Sequence, residues 1–295
     1  MHIGFMIQNE AMRPHGELLM KSLARTAYES VRIMVPVEEM DLVLQLRQQY
    51  PEKTVIVEPF SMPDAYRKFP FADKLVGAAK AEAMIDGTLM WMDTDSIVFG
   101  DLSPLDLKQG EVFAYRPVDK KLIGCGPEEP LSAFWQQTYM AFNLDKEFAP
   151  MKTGVEQEDI RPYFNAGCFL LRTDRKILQF WKDIFFTFIE REEIQSILED
   201  EILYRIFAHQ VVFTGAVLAS TKPEERVLLP DAVNYPIQFH GLHPLSNSVK
   251  ASMNLISGRY DTYFNQDESE WNFPFDDETA SWIDVNALQM GWFYE

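Results

Sequence analysis

Strands and helices alternate from the first residues of this chain, and that alternation limits the fold more than any other feature. Residues 2–8 (HIGFMIQ) form a short apolar run, and residues 14–27 then place apolar side chains on one helical face. Residues 31–37 and 54–57 have the composition of buried strands, and residues 38–50 between them have helical spacing. Strand, helix, strand, helix, strand in this order predicts an α/β fold with a mainly parallel sheet.

The alternation continues through the middle of the chain. Residues 73–85 have helical spacing, with Asp73 as the expected N-terminal cap, and residues 88–92 (TLMWM) form the next predicted strand. Residues 96–99 and 111–115 predict two further strands. The remaining predicted elements are a loop over 119–130, a strand over 162–172 interrupted at 165–167, a helix from 175 to about 209 broken near 192, and a strand over 211–219.

The chain is strongly acidic. Its 295 residues include 27 Lys and Arg against 45 Asp and Glu, a formal net charge of −18. Because nucleic acids and anionic membranes bind proteins mainly through clustered cations, neither is expected as a partner.

Cys125 and Cys168 form no CxxC pair, and no apolar stretch approaches the roughly 18 residues of a membrane span. No basic segment precedes an apolar run at the N-terminus, so a cytoplasmic protein without an integral membrane segment is expected.

A single domain over residues 1–295 is the expected organisation, because the chain contains no repeat and no low-complexity linker. We divide it into residues 1–115, residues 116–245 and a C-terminal extension over 246–295. The extension is acidic but rich in aromatic residues, which predicts packing on the core. Its aromatic residues include Trp271, Phe273, Phe275, Trp282, Trp292 and Phe293.

Two carboxylates follow the apolar strand at residues 88–92. Asp93 and Asp95 stand where a strand of an α/β sheet ends, the edge at which such sheets bind ligands. Desolvating a carboxylate costs several kcal/mol unless a counter-charge is present, so Mg²⁺ or Mn²⁺ is the expected partner. Side chains at i and i+2 of a flat strand are about 7 Å apart, so a turn at Thr94 is required, or one carboxylate must act through a ligand. The alternative is an Asp that caps the following turn.

The segment WMDTDSIVFGDL, followed by PYFNAGCFLLRTD and later by PIQFHG, resembles the nucleotide-sugar glycosyltransferases of the GT-A fold. It is most similar to the glycogenin-like and galactosyltransferase-like group, family 8. The resemblance covers roughly residues 2–241, with the motifs in matching order. It implies a Rossmann-like, mixed and mainly parallel central sheet flanked by helices, with an elaborated C-terminal region. It also implies that residues 1–115 bind the nucleotide and residues 116–245 bind donor sugar and acceptor.

For the metal site, the resemblance implies three protein ligands. Asp93 corresponds to the carboxylate that contacts the ribose and, directly or indirectly, the metal, and Asp95 corresponds to the direct metal ligand. Thr94, between them, belongs to the same nucleotide-binding segment. His240 corresponds to the third ligand, and a neutral imidazole beside carboxylates favours Mn²⁺ over Mg²⁺. His243 is a competing ligand that the sequence does not exclude, and a structural histidine is the alternative for His240.

For the donor sugar, the resemblance implies contacts from Asn165, Ala166 and Gly167. The Asn amide can hydrogen-bond sugar hydroxyls, and Gly permits close approach of the backbone, whereas a β-bulge without a ligand is the alternative. The family has an Asp-Gln pair near the reacting carbon, and the corresponding segment here, LEDEIL, contains no Gln. Glu199 and Asp200 fall at the pair, and we assign catalytic roles to Asp200 and Asn165. A solvated acidic helix face is the competing explanation.

The resemblance also implies a basic residue at the diphosphate and polar residues at the nucleobase. Lys74 and Lys80 lie on one predicted helix on roughly opposed faces, so at most one points into the site, and Lys74 matches better. Gln8 and Asn9 end the first strand, where this fold holds nucleobase and ribose. The late H…G…KPW motif is incomplete here, because HGLHPLSNSVK lacks the Trp and its Lys250 falls late.

Together these features predict a metal-dependent glycosyltransferase. The expected donor is a UDP-hexose, the acceptor carries a hydroxyl group, and the resemblance implies retention of anomeric configuration. A non-catalytic protein that keeps the fold and binds a partner is the alternative, because the acidic pair and the late lysine depart from the family. A sugar-nucleotide nucleotidyltransferase is less well supported, because IQNEAMRPHGE lacks a Gly-rich, basic loop for a triphosphate.

Overall fold

The fold is described from a computed structural model that covers residues 1–24, 26–49, 54–144, 147–265 and 272–286. The chain divides into two compact units, and neither is one continuous segment. Unit 1 comprises Met1–Pro59, Met92–Asp106 and Leu229–Glu295, and unit 2 comprises Phe60–Trp91 and Leu107–Leu228. A single domain over residues 1–295, divided at residues 115 and 245, stays a prediction.

Strands, α-helices and short 3₁₀ helices alternate along the described residues. The strands are β1 (His2–Met6), β2 (Ser30–Pro36), β3 (Val55–Phe60), β4 (Thr88–Met92), β5 (Ser96–Val98), β6 (Phe113–Pro117), β7 (Met151–Lys152), β8 (Asp159–Ile160), β9 (Phe164–Arg172), β10 (Arg226–Leu228), β11 (Tyr235–Pro236) and β12 (Ser257–Arg259). The α-helices are α1 (Arg13–Leu23), α2 (Met40–Gln49), α3 (Ala72–Met84), α4 (Ala133–Ala141), α5 (Ile177–Ile189), α6 (Glu192–Asp200), α7 (Ile202–Ser220) and α8 (Asp277–Asn286). The 3₁₀ helices are Glu10–Met12, Val37–Glu39, Asp64–Tyr66, Ser103–Leu105, Thr173–Arg175, Pro223–Glu225, Ile237–Leu242, Ser252–Asn254 and Tyr263–Asn265.

Unit 1 contains the strand–helix alternation of the first sixty residues and a second, smaller sheet. Strands β1, β2 and β3 lie side by side in that order, and β1 pairs with β2 in parallel from His2 opposite Ser30 to Met6 opposite Met34. The small sheet has the order β11, β12, β5. Its middle strand, β12, is parallel to β11 and antiparallel to β5.

Unit 2 contains strands in the order β10, β6, β9, β4, with β10 parallel and β9 antiparallel to β6. Helices α3, α5 and α7 pack together beside them. An aromatic core fills the space between strands and helices, where the Phe113 ring lies 5.4 Å from that of Phe164 and 5.8 Å from that of Phe213. The chain therefore confirms the predicted α/β class, a mixed and mostly parallel sheet flanked by helices.

The segment over residues 211–219 corrects the sequence prediction, because it is part of helix α7 and not a strand. The predicted break near residue 192 is present between α5 and α6, and a second break follows Asp200. Residues 208–218 are buried on every side of α7, so burial has no helical period, and the apolar stretches over 211–213 and 216–219 also suit a strand. Among the described residues, α7 alone is long and apolar enough to cross a membrane, but 61% of that stretch is buried within the protein, as in a core helix.

The described part of the C-terminal extension belongs to unit 1 and packs into its aromatic core, as its aromatic content predicts. Phe273 joins a buried cluster with Tyr235 and Tyr260, and Phe275 and Trp282 pack against the same cluster. The other three aromatic residues named for the extension, Trp271, Trp292 and Phe293, lie outside the described residues.

Candidate active site

The acidic segment of unit 1 forms the tight turn that its chemistry requires. Strand β4 ends at Met92, Thr94 and Asp95 form a turn, and β5 starts at Ser96. Thr94 is buried, while Asp93 and Asp95 are half-buried. The turn at Thr94 expected from the i, i+2 spacing is therefore present.

Tyr260 holds the main chain of this turn at two points. Its backbone N–H donates to the Asp95 carbonyl at 2.9 Å, and its hydroxyl donates to the Thr94 carbonyl at 3.3 Å. His15, from helix α1, lies 2.8 Å from the Tyr260 hydroxyl through Nδ1, and the two rings are stacked. Burial lowers the pKa of His15 to about 4, so its ring is neutral at pH 7. Two buried and uncharged residues, Tyr260 and His15, thus support the backbone of the acidic turn.

The small sheet connects the acidic turn with His240. Ser96 at the start of β5 pairs with Arg259 at the end of β12, and Arg259 pairs with Pro236 at the end of β11. Three segments therefore adjoin the same end of this sheet: Asp95 precedes β5, Tyr260 follows β12, and the 3₁₀ helix that carries His240 follows β11.

His240 is buried and neutral. Its Nδ1 lies 2.9 Å from the Tyr235 hydroxyl, and its ring meets that of Phe273 edge-on at 5.1 Å. Burial lowers the pKa of His240, which keeps the imidazole in its metal-binding form at neutral pH. His243 packs on the same Tyr235 ring, and its Nδ1 accepts a hydrogen bond from the Leu245 N–H at 3.1 Å.

The donor types of this region suit a divalent cation, but the described residues contain no group of three His, Cys, Asp or Glu side chains arranged around one point. Asp93, Asp95 and His240 are therefore not assembled as a ligand set in this structure. Two carboxylates and a neutral imidazole are nevertheless the combination that Mn²⁺ accepts. The metal site stays a prediction whose donor chemistry fits.

In unit 2, strand β9 departs from regular pairing at the segment predicted to lie along the donor sugar. Tyr115 of β6 pairs with Phe169 and Pro117 pairs with Phe164, so the four residues 165–168 of β9 face the single residue Arg116. The N–H groups of this segment use side chains instead: Gly167 N donates to Asn165 Oδ1 at 2.7 Å. The polar interruption predicted at 165–167 is thus an irregularity within one continuous strand.

Helix α7 fixes the start of β9 with two side chains one turn apart. Gln210 Oε1 accepts from the Ala166 N–H at 3.0 Å, and Thr214 Oγ1 accepts from the Phe164 N–H at 3.1 Å. Gln210 and Asn165 are both buried. These contacts tie the main chain of residues 164 and 166 to helix α7.

Lys74, on α3, is a buried cation in an aromatic environment. Its side chain is 3% exposed, and Nζ lies 5.9 Å from the centre of the Phe71 ring. The Phe71 ring is 4.4 Å from that of His209, and burial, assisted by the positive charge of Lys74, lowers the pKa of His209 well below its ordinary value. Lys80, the alternative, is half-buried on the same helix.

The sequence of the chain matches a known family over most of its length. A family model described as the Rhodobacterales glycosyltransferase domain matches residues 3–217. The chain belongs to this glycosyltransferase family. No curated protein matches it.

Solved structures share the fold of this Rhodobacterales glycosyltransferase domain at low identity. The glycosyltransferase GlyE of Streptococcus pneumoniae TIGR4 is 16% identical, with a TM-score of 0.58 over 97% of this chain, which spans 60% of the length of GlyE. The galactosyltransferase LgtC, in complex with donor and acceptor sugar analogues, is 16% identical, with a TM-score of 0.53 over 100% of this chain and 98% of LgtC. Mouse xyloside xylosyltransferase 1 is 14% identical, with a TM-score of 0.50 over 89% of this chain and 98% of that one. The predicted glycosyltransferase fold is confirmed by these structures, and the family model confirms a glycosyltransferase domain.

Within this glycosyltransferase domain, two predicted groups of site residues lie on the surface. Gln8 and Asn9 are exposed after β1, and Asn9 Oδ1 accepts from the Met12 N–H at 3.1 Å, which caps a 3₁₀ helix. Glu199 and Asp200 are exposed at the end of α6. Their roles stay predictions.

Other contacts of the Rhodobacterales glycosyltransferase domain were not foreseen. Asp73 does not cap α3: Phe71 occupies that position with φ of 62°, and Asp73 is buried, with Oδ1 accepting from the Lys74 N–H. Tyr260 and Gln210, which hold the acidic turn and the 165–167 segment, were also missed. Recognition of α7 as a helix would have placed Gln210 and Thr214 on one face, whereas no sequence signal links Tyr260 to residues 93–95.

Proposed function

We propose that this glycosyltransferase moves a hexose from a UDP-sugar to a hydroxyl acceptor, with retention of configuration and with a divalent cation, Mn²⁺ before Mg²⁺. The observation that carries the proposal is the turn over residues 93–95, whose two carboxylates are half-buried and whose backbone is held by Tyr260. A bound cation would offset the hydration that half-buried carboxylates lose next to a strand end.

The cation would be held by Asp95 and Asp93, with His240 as the third ligand and His243 as its alternative. When bound, it acts as a Lewis acid that stabilises the departing diphosphate. The chain itself keeps the imidazole of His240 neutral by burial and orients it through the Tyr235 hydroxyl. A hydrogen bond to one ring nitrogen leaves the other nitrogen, Nε2, to act as the ligand.

Unit 2 is assigned to the sugar and its leaving group. A diphosphate is anionic, and Lys74 offers a cation whose water has already been removed by the protein, so charge neutralisation there requires little further desolvation. The 165–167 segment presents an Asn and a Gly in a backbone that Gln210 holds in place. A preorganised backbone binds a sugar without first losing conformational entropy. Asp200 and Glu199 remain the assigned acidic pair.

The proposal is tested by UDP release from UDP-glucose and UDP-galactose in the presence of Mn²⁺. Release should depend on the metal, and Asp95→Asn should lower the rate by at least about a hundredfold, as expected for loss of a group that stabilises the leaving charge. Asp41→Asn removes an exposed carboxylate of unit 1 and is the matched control, expected to retain full activity. No UDP from any common donor, together with no change in Tm on adding UDP and Mn²⁺, would contradict the proposal.

A non-catalytic, nucleotide-binding role is favoured by one observation: Glu199 and Asp200 are exposed at the end of α6 instead of being buried in a pocket. This alternative predicts that UDP and Mn²⁺ raise the Tm while no UDP-sugar is turned over. Asp95→Asn should then abolish the Tm shift, whereas Asp200→Asn should leave it unchanged. In the enzyme, by contrast, Asp200→Asn should reduce turnover.

A further inference from the structure

A cavity lies entirely within unit 2, and none of the assigned site residues lines it. It has a volume of about 820 Å³ and is bounded by the end of α7, the strands β6 and β10, and residues 142–144 and 147–151. Cavities of this size hold small organic ligands in other proteins. The question is which chemistry its lining selects.

Aromatic rings supply the apolar part of the lining. Tyr115 and Phe164 pack edge-to-face at 4.7 Å, and both line the cavity together with Phe148. Tyr115 and Phe148 are half-buried, so their rings are partly accessible. Within the described part of the chain, the Tyr115 hydroxyl makes no hydrogen bond, and burial raises its pKa, so it remains a neutral donor and acceptor. An aromatic face beside a hydroxyl suits the mixed apolar and polar surface of a sugar ring.

Positive charge supplies the polar part. Arg175, Lys222 and Arg226 line the cavity, against Glu147 and Glu225. Glu225 is already occupied, because it accepts from Arg175 Nη2 at 2.7 Å and from the Lys222 backbone N–H at 2.8 Å. The remaining cations outnumber the remaining carboxylate, in a protein whose net charge is −18.

Arg226 is the decisive residue. It is half-buried, and in the described residues its guanidinium makes a single hydrogen bond, from Nε to the Lys222 carbonyl at 3.3 Å. Arg226 and Tyr115 lie on the same face of the sheet, because Arg226 pairs with Phe113, two residues before Tyr115 in β6. Because Arg226 is half-buried, its charge has lost part of its hydration, and burial lowers its pKa. The two terminal nitrogens can form the fork that binds carboxylate or phosphate in a bidentate manner.

We propose that this cavity binds a sugar that carries an anionic group, with the carboxylate or phosphate on Arg226 and the sugar ring against Tyr115. The site goes beyond the glycosyl transfer proposed above and does not depend on it. Neither Asp95 nor any other assigned site residue lines the cavity, so this site and the donor site are tested independently.

The test is the binding of four probes to the full chain, measured by calorimetry or ligand-observed NMR. Glucuronic acid carries a carboxylate on a sugar ring, and glucose 6-phosphate carries a phosphate. Glucose has the sugar ring without the anionic group, and inorganic phosphate is an anionic group without the sugar ring. We expect one or both anionic sugars to bind at least about tenfold more tightly than glucose and than inorganic phosphate. The comparison of the two anionic sugars identifies the group that Arg226 selects.

Variants connect that binding to the cavity. Arg226→Gln should weaken the anionic sugar about tenfold, and Arg226→Lys should weaken it less, because it keeps the charge but loses the fork. Arg191→Gln, at the junction of α5 and α6, removes an equal charge away from the cavity and should change nothing. Asp95→Asn should also change nothing, whatever its effect on UDP binding.

Three results would overturn the proposal. No probe binds; glucose or phosphate binds as tightly as the anionic sugars; or Arg191→Gln weakens binding as much as Arg226→Gln, which would indicate general charge attraction. If Arg226→Gln lowers the Tm so far that it cannot be compared, Arg226→Lys and Tyr115→Phe decide, since an unchanged affinity in both also excludes the site.

Discussion

At the scale of single residues, the acidic turn depends on groups that are not acidic. Tyr260 binds the carbonyls of Thr94 and Asp95, and His15 supports the Tyr260 ring from α1. A flexible turn would let its two carboxylates separate by mutual repulsion, so a fixed backbone makes cation binding less costly in entropy. We therefore regard Tyr260 as a positioning residue of the proposed metal site.

Replacement of Tyr260 by Phe tests that role. Tyr260→Phe keeps the stacked ring but removes a hydrogen bond worth about 1 kcal/mol, so UDP binding should require roughly five- to tenfold more Mn²⁺. The measurement is the Mn²⁺ concentration that gives half-maximal UDP binding. Tyr263→Phe is the control: its hydroxyl accepts from the Phe273 N–H at 2.8 Å in the same aromatic cluster. Equal Mn²⁺ dependence in the two variants would leave Tyr260 with a structural role only.

At the scale of secondary-structure elements, a buried carboxylate joins α3 to the N-terminus of α5. Glu82 of α3 accepts hydrogen bonds from the backbone N–H groups of Leu178 at 3.1 Å and Gln179 at 2.8 Å. Two unpaired N–H groups of a helix end are thereby satisfied. These hydrogen bonds lower the pKa of Glu82, but the loss of hydration on burial has the larger effect and raises it from 4.5 to about 7.

The raised pKa predicts a decrease of stability with pH. The folded state holds the Glu82 proton more tightly than the unfolded state, so this group stabilises the fold below pH 4.5, and that contribution is lost as the pH rises to about 7. The free energy of unfolding should fall by about 2–3 kcal/mol across this range on account of Glu82.

Glu82→Gln should remove that part of the pH dependence, because an amide does not titrate. The measurement is chemical denaturation of the full chain at pH 5 and pH 8. Glu193→Gln, at an exposed position of α6, should leave the pH dependence as it is in the unchanged protein. A Glu82→Gln variant that loses as much stability as the unchanged protein between the two pH values would refute the assignment.

At the scale of the whole molecule, the net charge is negative, but positive charges lie at the positions where anionic ligands are proposed to bind. The chain carries a net charge of −18, yet unit 2 contains buried and half-buried cations, among them Lys74 on α3 and Arg226 at the cavity. Anionic ligands are therefore repelled by the molecule as a whole and attracted at specific places. Such placement favours recognition by local contacts over long-range steering.

The net charge also predicts a stability that increases with ionic strength. Mutual repulsion of excess carboxylates destabilises the compact state, and salt screens it within about 10 Å at 0.1 M. Sodium chloride should raise the Tm at pH 8 by several degrees, at about 2–4 °C for each kcal/mol. The increase should shrink as the pH approaches 4–5, where carboxylates gain protons. A Tm that is insensitive to salt at pH 8, or equally sensitive at both pH values, would contradict this account.

Local pattern was enough to predict the order of most elements and the packing of Phe273, Phe275 and Trp282, and it gave the turn at Thr94 as one of two alternatives. The glycosyltransferase family was predicted from the resemblance of three motifs to known proteins. Periodicity and turn chemistry encode which side of a segment is buried, and this information is complete within a few residues. Prediction from hydrophobic periodicity fails for α7, because a helix that is buried on all sides shows no alternation of polar and apolar faces.

The tertiary structure alone decided which residues support the proposed site. Tyr260 meets Thr94 across 166 residues of sequence, His15 meets Tyr260 across 245, and Gln210 meets Ala166 across 44. Contacts of this kind leave no spacing in the sequence, since they arise only when separate segments pack together. The same holds for the cavity of unit 2 and for the burial that keeps His240 neutral, because both depend on neighbours that only the fold brings together.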